Sequence, residues 1–270
     1  MVDAEYMSSQ PYINERMRTI LVDWLVEVHL KFKMVPETLY LTVHIIDRFL
    51  EDNRVRRSKL QLVGVAALLV ASKYEEIYPP ELRDLVYITD RAYNKQEILE
   101  VTWTFLTALT HMSISLTSYP PHLPLNTTRH NTTHTQQMES QIAVALDYNL
   151  TLPTTHSFLC RFLKAAHADR MMVQMACYLA ERSLQEYSMV KYLPSVIAAS
   201  AVCIARKSLR RHPWSPTLVK YTKYDEPDLA ACLADMQAFN DSTTTSQQQA
   251  VFRKYSNPKF GAVAKMPLTF

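Results

Sequence analysis

Glycine is almost missing from this 270-residue sequence, which contains only Gly64 and Gly261. Tight β-hairpins and loops that wrap around phosphate groups both depend on glycine. The scarcity therefore argues against a sheet protein and against a nucleotide-binding loop, and it favours helices. The 14 prolines mostly separate apolar runs with helical spacing, which is where proline begins or ends helices.

Motifs of several enzyme classes are missing as well. The chain has no Walker loop, no His-Glu-x-x-His, no Gly-x-Ser-x-Gly and no Cys-x-x-Cys. The adjacent carboxylates Glu75 and Glu76 follow Lys73 and Tyr74 at the end of an apolar run. Nothing in the surrounding sequence supplies the pocket that a catalytic carboxylate needs. We therefore predict a non-catalytic chain without a metal ion or a cofactor.

A strong charge of one sign and a membrane-length apolar run are also absent. The net charge is +3 with both signs interspersed, which is weak support for nucleic-acid binding. The sequence shows no signal peptide and no transmembrane run, so we expect neither a nucleic acid nor a membrane as partner. The cysteines lie far apart in apolar stretches and are predicted to be reduced core residues: Cys160, Cys177, Cys203 and Cys232.

The stretch from Met17 to Val28 organises the chain. Its large apolar side chains recur at i, i+3, i+4, i+7, i+8 and i+11, which places them on one face of an α-helix. Arg18 and Asp23 lie within this stripe, and charges beside a buried stripe are uncommon unless they are paired. The pattern alone does not distinguish a helix whose two charges are paired from a buried helix whose two charges are solvated.

Two further stretches are apolar nearly all round and are predicted to be helices at the centres of two bundles. The first runs from Lys59 to Glu76, and Ser58 with Gln61 predicts a capping box at its start. The second runs from Val196 to Lys207. With Lys207 aligned to Lys73, small and aliphatic residues match at an offset of 134 positions. This indicates an internal repeat of a helical bundle.

The amino-acid sequences of these stretches closely resemble those of the cyclin family. The stretch from Met17 reads Met-Arg-Thr-Ile-Leu-Val-Asp-Trp-Leu-Val-Glu-Val. It resembles the opening helix of the cyclin box, where the family usually has Met-Arg-Ala-Ile-Leu, so that Thr19 is a departure. Further matching segments are Pro36-Glu-Thr-Leu-Tyr-Leu-Thr-Val, Ile46-Asp-Arg-Phe-Leu, Ala71-Ser-Lys-Tyr-Glu-Glu-Ile-Tyr-Pro-Pro-Glu, Tyr192-Leu-Pro-Ser-Val-Ile-Ala and Phe252-Arg-Lys-Tyr.

The resemblance is to mitotic cyclins, closer to the B type than to the A type. It implies an all-α fold of two consecutive five-helix cyclin boxes, over residues 1–150 and 151–255, with an irregular tail over 256–270. It also implies a regulatory subunit that binds and activates a cyclin-dependent kinase, recruits Arg-x-Leu substrates and inhibitors, and controls G2/M progression from the nucleus and cytoplasm. Because the chain starts close to the first box, we expect the family's N-terminal helix and destruction signal to be missing.

The family's functional residues transfer onto matching positions of this sequence. Arg18 and Asp47 match a buried structural ion pair. The kinase-binding residues implied by the resemblance are Lys73, Tyr74, Glu139, Ile142, Tyr148 and Leu150. The residues of the implied substrate-docking patch, where an apolar groove takes the Leu of Arg-x-Leu and Glu27 takes the Arg, are Met17, Ile20, Leu21, Trp24, Glu27, Leu60 and Gln61. For Leu21 and Trp24, plain core packing is the alternative.

Residues 101–137 fit neither the helical pattern nor the resemblance. They contain ten threonines, three prolines and no acidic residue, a composition that does not sustain a helix. Without them, the sequence to Glu100 continues in register into Met138. We infer an insertion into the fifth helix, either a retained intron or a natural loop. An intron is suggested by the two ends of the segment: the Val101 codon begins with GT and the Gln137 codon can end with AG, which are the dinucleotides that bound an ordinary intron.

Two other functions are alternatives to that of a B-type cyclin. One is an A-type cyclin acting in S and G2 phases. The other is a general transcription factor with paired cyclin folds, which would need Lys and Arg gathered on one DNA-binding face.

Overall fold

The computed structural model describes residues 2–102, 153–211, 214–242 and 249–270. Within these ranges the regular elements are α-helices and short 3-10 turns, without a strand. The first half contains α1 (Glu15–Phe32), α2 (Pro36–Asp52), α3 (Leu60–Glu75), α4 (Leu82–Ile88) and α5, which begins at residue 95 and is described as far as residue 102. The second half contains α6 (Thr155–Ala165), α7 (Arg170–Gln185), α8 (Pro194–Ser208), α9 (Pro216–Thr222), α10 (Glu226–Ser242) and α11 (Ala250–Tyr255).

Local sequence signals account for most helix ends. The Asn14 side chain caps α1 by accepting a hydrogen bond from the backbone N–H of Met17, and Lys33 ends the helix with φ of 56°. Pro36 and Pro194 occupy the first positions of α2 and α8, where their missing N–H costs nothing. Each of these signals lies within a few residues of the helix end that it sets.

The two apolar stretches are the central helices of the two halves, as predicted. From Leu62 to Ser72 every residue of α3 is buried, and in α8 every residue from Ile197 to Arg206 is buried. α3 packs against α2 and α1, while α8 packs against α6, α7 and α10. Burial of whole helices among others defines an all-α fold of two bundles, which confirms the predicted fold class.

The structure corrects two smaller predictions. The capping box at Ser58 is absent: α3 begins at Leu60, and its N-cap Lys59 makes no side-chain cap bond. Cys160 is exposed, not part of the core, whereas Cys203 and Cys232 are buried. Periodicity shows which face of a helix is apolar, but it does not show how far the neighbouring helices extend to cover that face.

The inferred insertion lies almost entirely outside the described residues. Its first two residues, Val101 and Thr102, continue α5, and the Thr102 hydroxyl donates to the backbone oxygen of Ile98 at 2.7 Å. Thr102 is fully buried. The boundaries of the insertion and of the two boxes stay predictions.

Candidate functional site

Arg18 and Asp47 form a buried ion pair between α1 and α2. Arg18 donates from Nε to Oδ1 at 2.6 Å and from Nη2 to Oδ2 at 2.7 Å, and the two residues are only 2% and 6% exposed. The Tyr6 hydroxyl donates to Oδ1 of Asp47 at 2.8 Å. Burial, together with the Asp47 carboxylate, raises the pKa of Tyr6 above its usual value. This arrangement satisfies three of the acceptor positions of the carboxylate.

The same helix face binds α1 to the second half of the chain. Arg18 Nη1 donates to the backbone oxygen of Leu184 at 2.9 Å, and the hydroxyl of Thr19 donates to the backbone oxygen of Gln185 at 2.8 Å. Asp23 Oδ1 accepts from the Gln185 side chain at 2.6 Å and from the backbone N–H of Ala250 at 2.8 Å. Both charged groups of the stripe are therefore bonded inside the molecule, Arg18 to the Asp47 carboxylate and Asp23 to neutral donors of the second half.

The opposite side of α1 forms an apolar groove with the start of α3. Its volume is about 330 Å³. Ile20 is 47% exposed, whereas Leu21 is 5% exposed and forms the floor. A side chain at Gly64 would meet Leu21 Cδ1 at 2.8 Å, so glycine at this position lets α3 approach α1. The residues that line the groove are Met17, Ile20, Leu21, Trp24, Arg57, Leu60 and Gln61.

Six of the seven predicted docking residues are thus brought together, and the seventh lies just beyond them. Glu27 is one turn past Trp24 on α1, is exposed, and does not line the groove. Its carboxylate is already paired with the guanidinium of Arg253 on α11. An exposed ion pair of this kind is worth at most about 1 kcal/mol, so an incoming arginine can compete with Arg253. The docking role of these residues stays a prediction.

The predicted kinase-binding residues fall into two groups. Lys73 and Tyr74 lie half-buried in the last turn of α3. Glu139, Ile142, Tyr148 and Leu150 lie outside the described residues. Where α3 ends, the structure shows two large apolar residues that the sequence analysis did not single out: Ile77 and Tyr78 are 87% and 91% exposed. Two neighbouring exposed apolar side chains of this size are a candidate interaction surface.

The pair Glu75–Glu76, which we predicted to be non-catalytic, has a structural use. Glu76 Oε1 accepts from the backbone N–H of Val35 at 2.8 Å and from the Thr38 hydroxyl at 2.6 Å. It therefore holds the end of α3 to the start of α2. Burial, followed by the nearby Glu37 carboxylate, raises the pKa of Glu75.

Sequence reasoning missed one buried network in the second half. Lys254 Nζ donates to both carboxylate oxygens of Glu181 at 2.7 Å, and the Tyr255 hydroxyl donates to Oε1 at 2.6 Å. Glu181 and Lys254 are 3% and 8% exposed. The two residues are 73 positions apart, and no local pattern connects them. Both helices contain further charged residues, so the sequence did not single out this pair.

Comparison with known proteins agrees with this architecture. Residues 1–112 match the family model for the cyclin N-terminal domain, and residues 153–269 match the model for the cyclin C-terminal domain. The chain belongs to the cyclin family. Cyclins are regulatory subunits of kinases rather than catalysts, which confirms the predicted class of protein.

Among its relatives are mitotic cyclins of plants and animals. G2/mitotic-specific cyclin S13-7 of Glycine max is 42% identical over 97% of this chain and 88% of its own length. Cyclin-B2-1 of Oryza sativa subsp. japonica is 42% identical over 98% of this chain and 54% of its own length. G2/mitotic-specific cyclin-A of Hydra viridissima is 40% identical over 97% of this chain and 54% of its own length. The chain therefore spans about half the length of several relatives.

Solved structures share the fold at low sequence identity. A viral cyclin from herpesvirus saimiri superposes with a TM-score of 0.66 at 15% identity, covering 91% of each chain. A chain of the yeast RNA Pol II CTD kinase CTDK-1 complex superposes with a TM-score of 0.61 at 12% identity, over 94% of this chain and 80% of the other. In the described part of the chain, no helix is long and apolar enough to cross a membrane.

Proposed function

We propose that this chain binds and activates a cyclin-dependent kinase and thereby controls the G2/M transition. The observation that carries the proposal is its 42% identity, over 97% of its length, to a G2/mitotic-specific cyclin. One structural neighbour comes from a kinase complex, which supports a kinase as the partner. The kinase performs the phosphoryl transfer, and the cyclin stabilises its active conformer by binding that conformer more tightly.

The surface proposed for the kinase lies around the end of α3. Lys73 provides a cation in the last turn of that helix, and Ile77 and Tyr78 provide exposed apolar area immediately after it. An apolar centre with a charged neighbour is typical of the residues that dominate interface energies. The bonds from Glu76 to Val35 and Thr38 hold this surface in place.

Replacing Ile77 and Tyr78 together by alanine should weaken kinase binding about 10- to 100-fold, because the loss of each large exposed side chain at an interface centre costs about 1 kcal/mol or more. Titration calorimetry against the purified kinase measures the change. The matched control is Tyr221→Ala, which removes a 45% exposed tyrosine from the second half. Equal losses in both variants, or no loss in either, would place the kinase elsewhere.

We propose further that the apolar groove recruits substrates and inhibitors that carry Arg-x-Leu. A groove of about 330 Å³ has room for a leucine side chain and its neighbours. The carboxylate of Glu27, one turn farther along α1, can take the arginine in place of Arg253, since charge-assisted bonds between guanidinium and carboxylate are strong when bidentate.

The triple variant Met17→Ala, Leu21→Ala and Trp24→Ala should bind an Arg-x-Leu peptide about 100-fold more weakly, because it removes the groove's floor and walls. Kinase binding should remain nearly intact, since these residues are not at the end of α3. Fluorescence anisotropy measures the affinity for the peptide. Phosphorylation of a histone-type substrate without the motif measures binding and activation of the kinase. Leu30→Ala, a partly exposed leucine of the same helix, is the matched control. Equal loss with both substrates would mean a damaged fold.

We also propose that the chain works in both the nucleus and the cytoplasm, as the resemblance to mitotic cyclins implies. Imaging of a fluorescent fusion through G2 and mitosis tests this location.

A further inference from the structure

We propose that the apolar groove continues into a basic subsite that binds an anionic residue of the same docking peptide, located after its leucine. The anion is an aspartate, a glutamate or a phosphoserine. We define the basic subsite by the residues that line it: Tyr12, Arg56, Arg57, Ser58, Gln61 and Tyr93. The inference rests on the proposed docking function and deepens it.

The geometry of the surface joins the two cavities. Arg57 and Gln61 line both the apolar groove and the basic subsite, so a peptide leaving one enters the other. The subsite has a volume of about 710 Å³, which is enough for an extended segment. Its wall is fixed, because the buried Tyr93 donates its hydroxyl proton to the backbone oxygen of Ser58 at 2.9 Å. Tyr12, on the other side, is 57% exposed.

The charge of the subsite is not neutralised within the described residues. Arg56 and Arg57 are exposed, and neither has a described ion-pair or side-chain hydrogen-bond partner. Lys59 differs, because its ammonium pairs with Glu97 at 2.9 Å. The start of α3 brings no negative charge to the subsite, because its first turn contains no acidic residue. Two arginines beside such a helix end favour an anion.

The two ends of the groove therefore lie near opposite charges. Glu27, paired with Arg253, lies beyond Trp24 on α1, just past one end of the groove. Tyr12, which precedes α1, lines the basic subsite with Arg56 and Arg57 at the other end. An Arg-x-Leu peptide that places its arginine at Glu27 and its leucine on Leu21 must run toward the arginines after the leucine. Because Arg57 and Gln61 line both the groove and the subsite, and an extended peptide advances about 3.3 Å per residue, we place the anionic residue within the first few positions past the leucine.

Anisotropy titrations of the full chain test the inference with peptides that differ at one position, three residues after the leucine. The four peptides carry alanine, aspartate, phosphoserine or lysine there. We expect aspartate to bind about 3- to 10-fold more tightly than alanine, phosphoserine more tightly still, and lysine more weakly. The gain should shrink in 0.5 M NaCl, because exposed charges are screened. Moving the aspartate to a position before the arginine should abolish the gain.

Variants identify the residues responsible. Arg56→Gln should lower the ratio of aspartate to alanine affinity, and the double variant with Arg57→Gln should bring it near one. Arg54→Gln, an exposed arginine that does not line the subsite, should leave the ratio unchanged. A ratio of one in the wild type, or a ratio that survives the double variant, overturns the inference while leaving docking intact. If even the alanine peptide does not bind, or binds equally to the Met17, Leu21 and Trp24 variant, docking itself fails.

Discussion

Replacement of Arg18 by alanine should lower the free energy of unfolding by about 3–5 kcal/mol. Asp47 is only 6% exposed, and the substitution removes its two bonds from the guanidinium. Only the Tyr6 hydroxyl would still donate to it among the described contacts. The backbone oxygen of Leu184 would also lose its donor, so the contact between the two halves should loosen. Urea unfolding, followed by far-UV circular dichroism, measures the change as a shift in midpoint.

Three further variants make this expectation specific. Arg16→Ala removes an exposed arginine from the same helix and should change stability by less than about 0.5 kcal/mol. Tyr6→Phe should cost about 1 kcal/mol, since it removes one hydrogen bond. The double variant Arg18→Met with Asp47→Leu should cost much less than Arg18→Ala, because it removes the buried charges together. If Arg18→Ala and Arg16→Ala melt alike, the pair does not hold the halves together.

α1 serves two surfaces at once, and this explains why its sequence is so constrained. The positions that face inward, Arg18, Val22 and Leu25, are buried, and Arg18 and Asp23 bond to the second half. Ile20 and Trp24 lie between them along the chain and Met17 lies just before them, but all three face the groove. A helix that joins both halves is a rigid floor for a docking site, since its position is fixed by contacts on the far side.

The fold was largely predictable because its signals are local. Apolar spacing places α1, unbroken apolar runs identify α3 and α8, and prolines mark the starts of α2 and α8. These features depend on neighbours within one or two turns. Helix ends were less predictable when the structure did not use the local cap: Ser58 precedes α3 but does not cap it.

The candidate site was predictable only in part. The residues that line the groove were inferred from the resemblance, and the structure places them on two helices that Gly64 allows to approach closely. The partners of Asp23 and Glu181 were not predicted, because they come from positions more than 70 residues away. The exposure of Ile77 and Tyr78 was also missed, since apolar residues after a buried helix fit a core equally well.

Replacement of Lys254 by methionine should lower the free energy of unfolding by about 3–5 kcal/mol. Lys254 is 8% exposed and donates to both oxygens of Glu181, itself 3% exposed. The variant would leave Glu181 buried with a single described donor, the Tyr255 hydroxyl at 2.6 Å. Methionine keeps most of the apolar stem of lysine, so the loss reports the unpaired carboxylate rather than a cavity. The urea midpoint measures it.

The matched control is Lys259→Met, the same substitution at an exposed lysine five residues later, which should cost less than about 0.5 kcal/mol. Adding Glu181→Leu to Lys254→Met should recover much of the loss, because the buried charge leaves with its partner. The network also holds α11, whose Ala250 N–H reaches Asp23 of α1 at 2.8 Å. Lys254→Met should therefore weaken the contact between α11 and α1 and speed hydrogen exchange at Ala250 more than at the centre of α3. If the two single variants have the same midpoint, Lys254 and Glu181 contribute no more to stability than an exposed pair does.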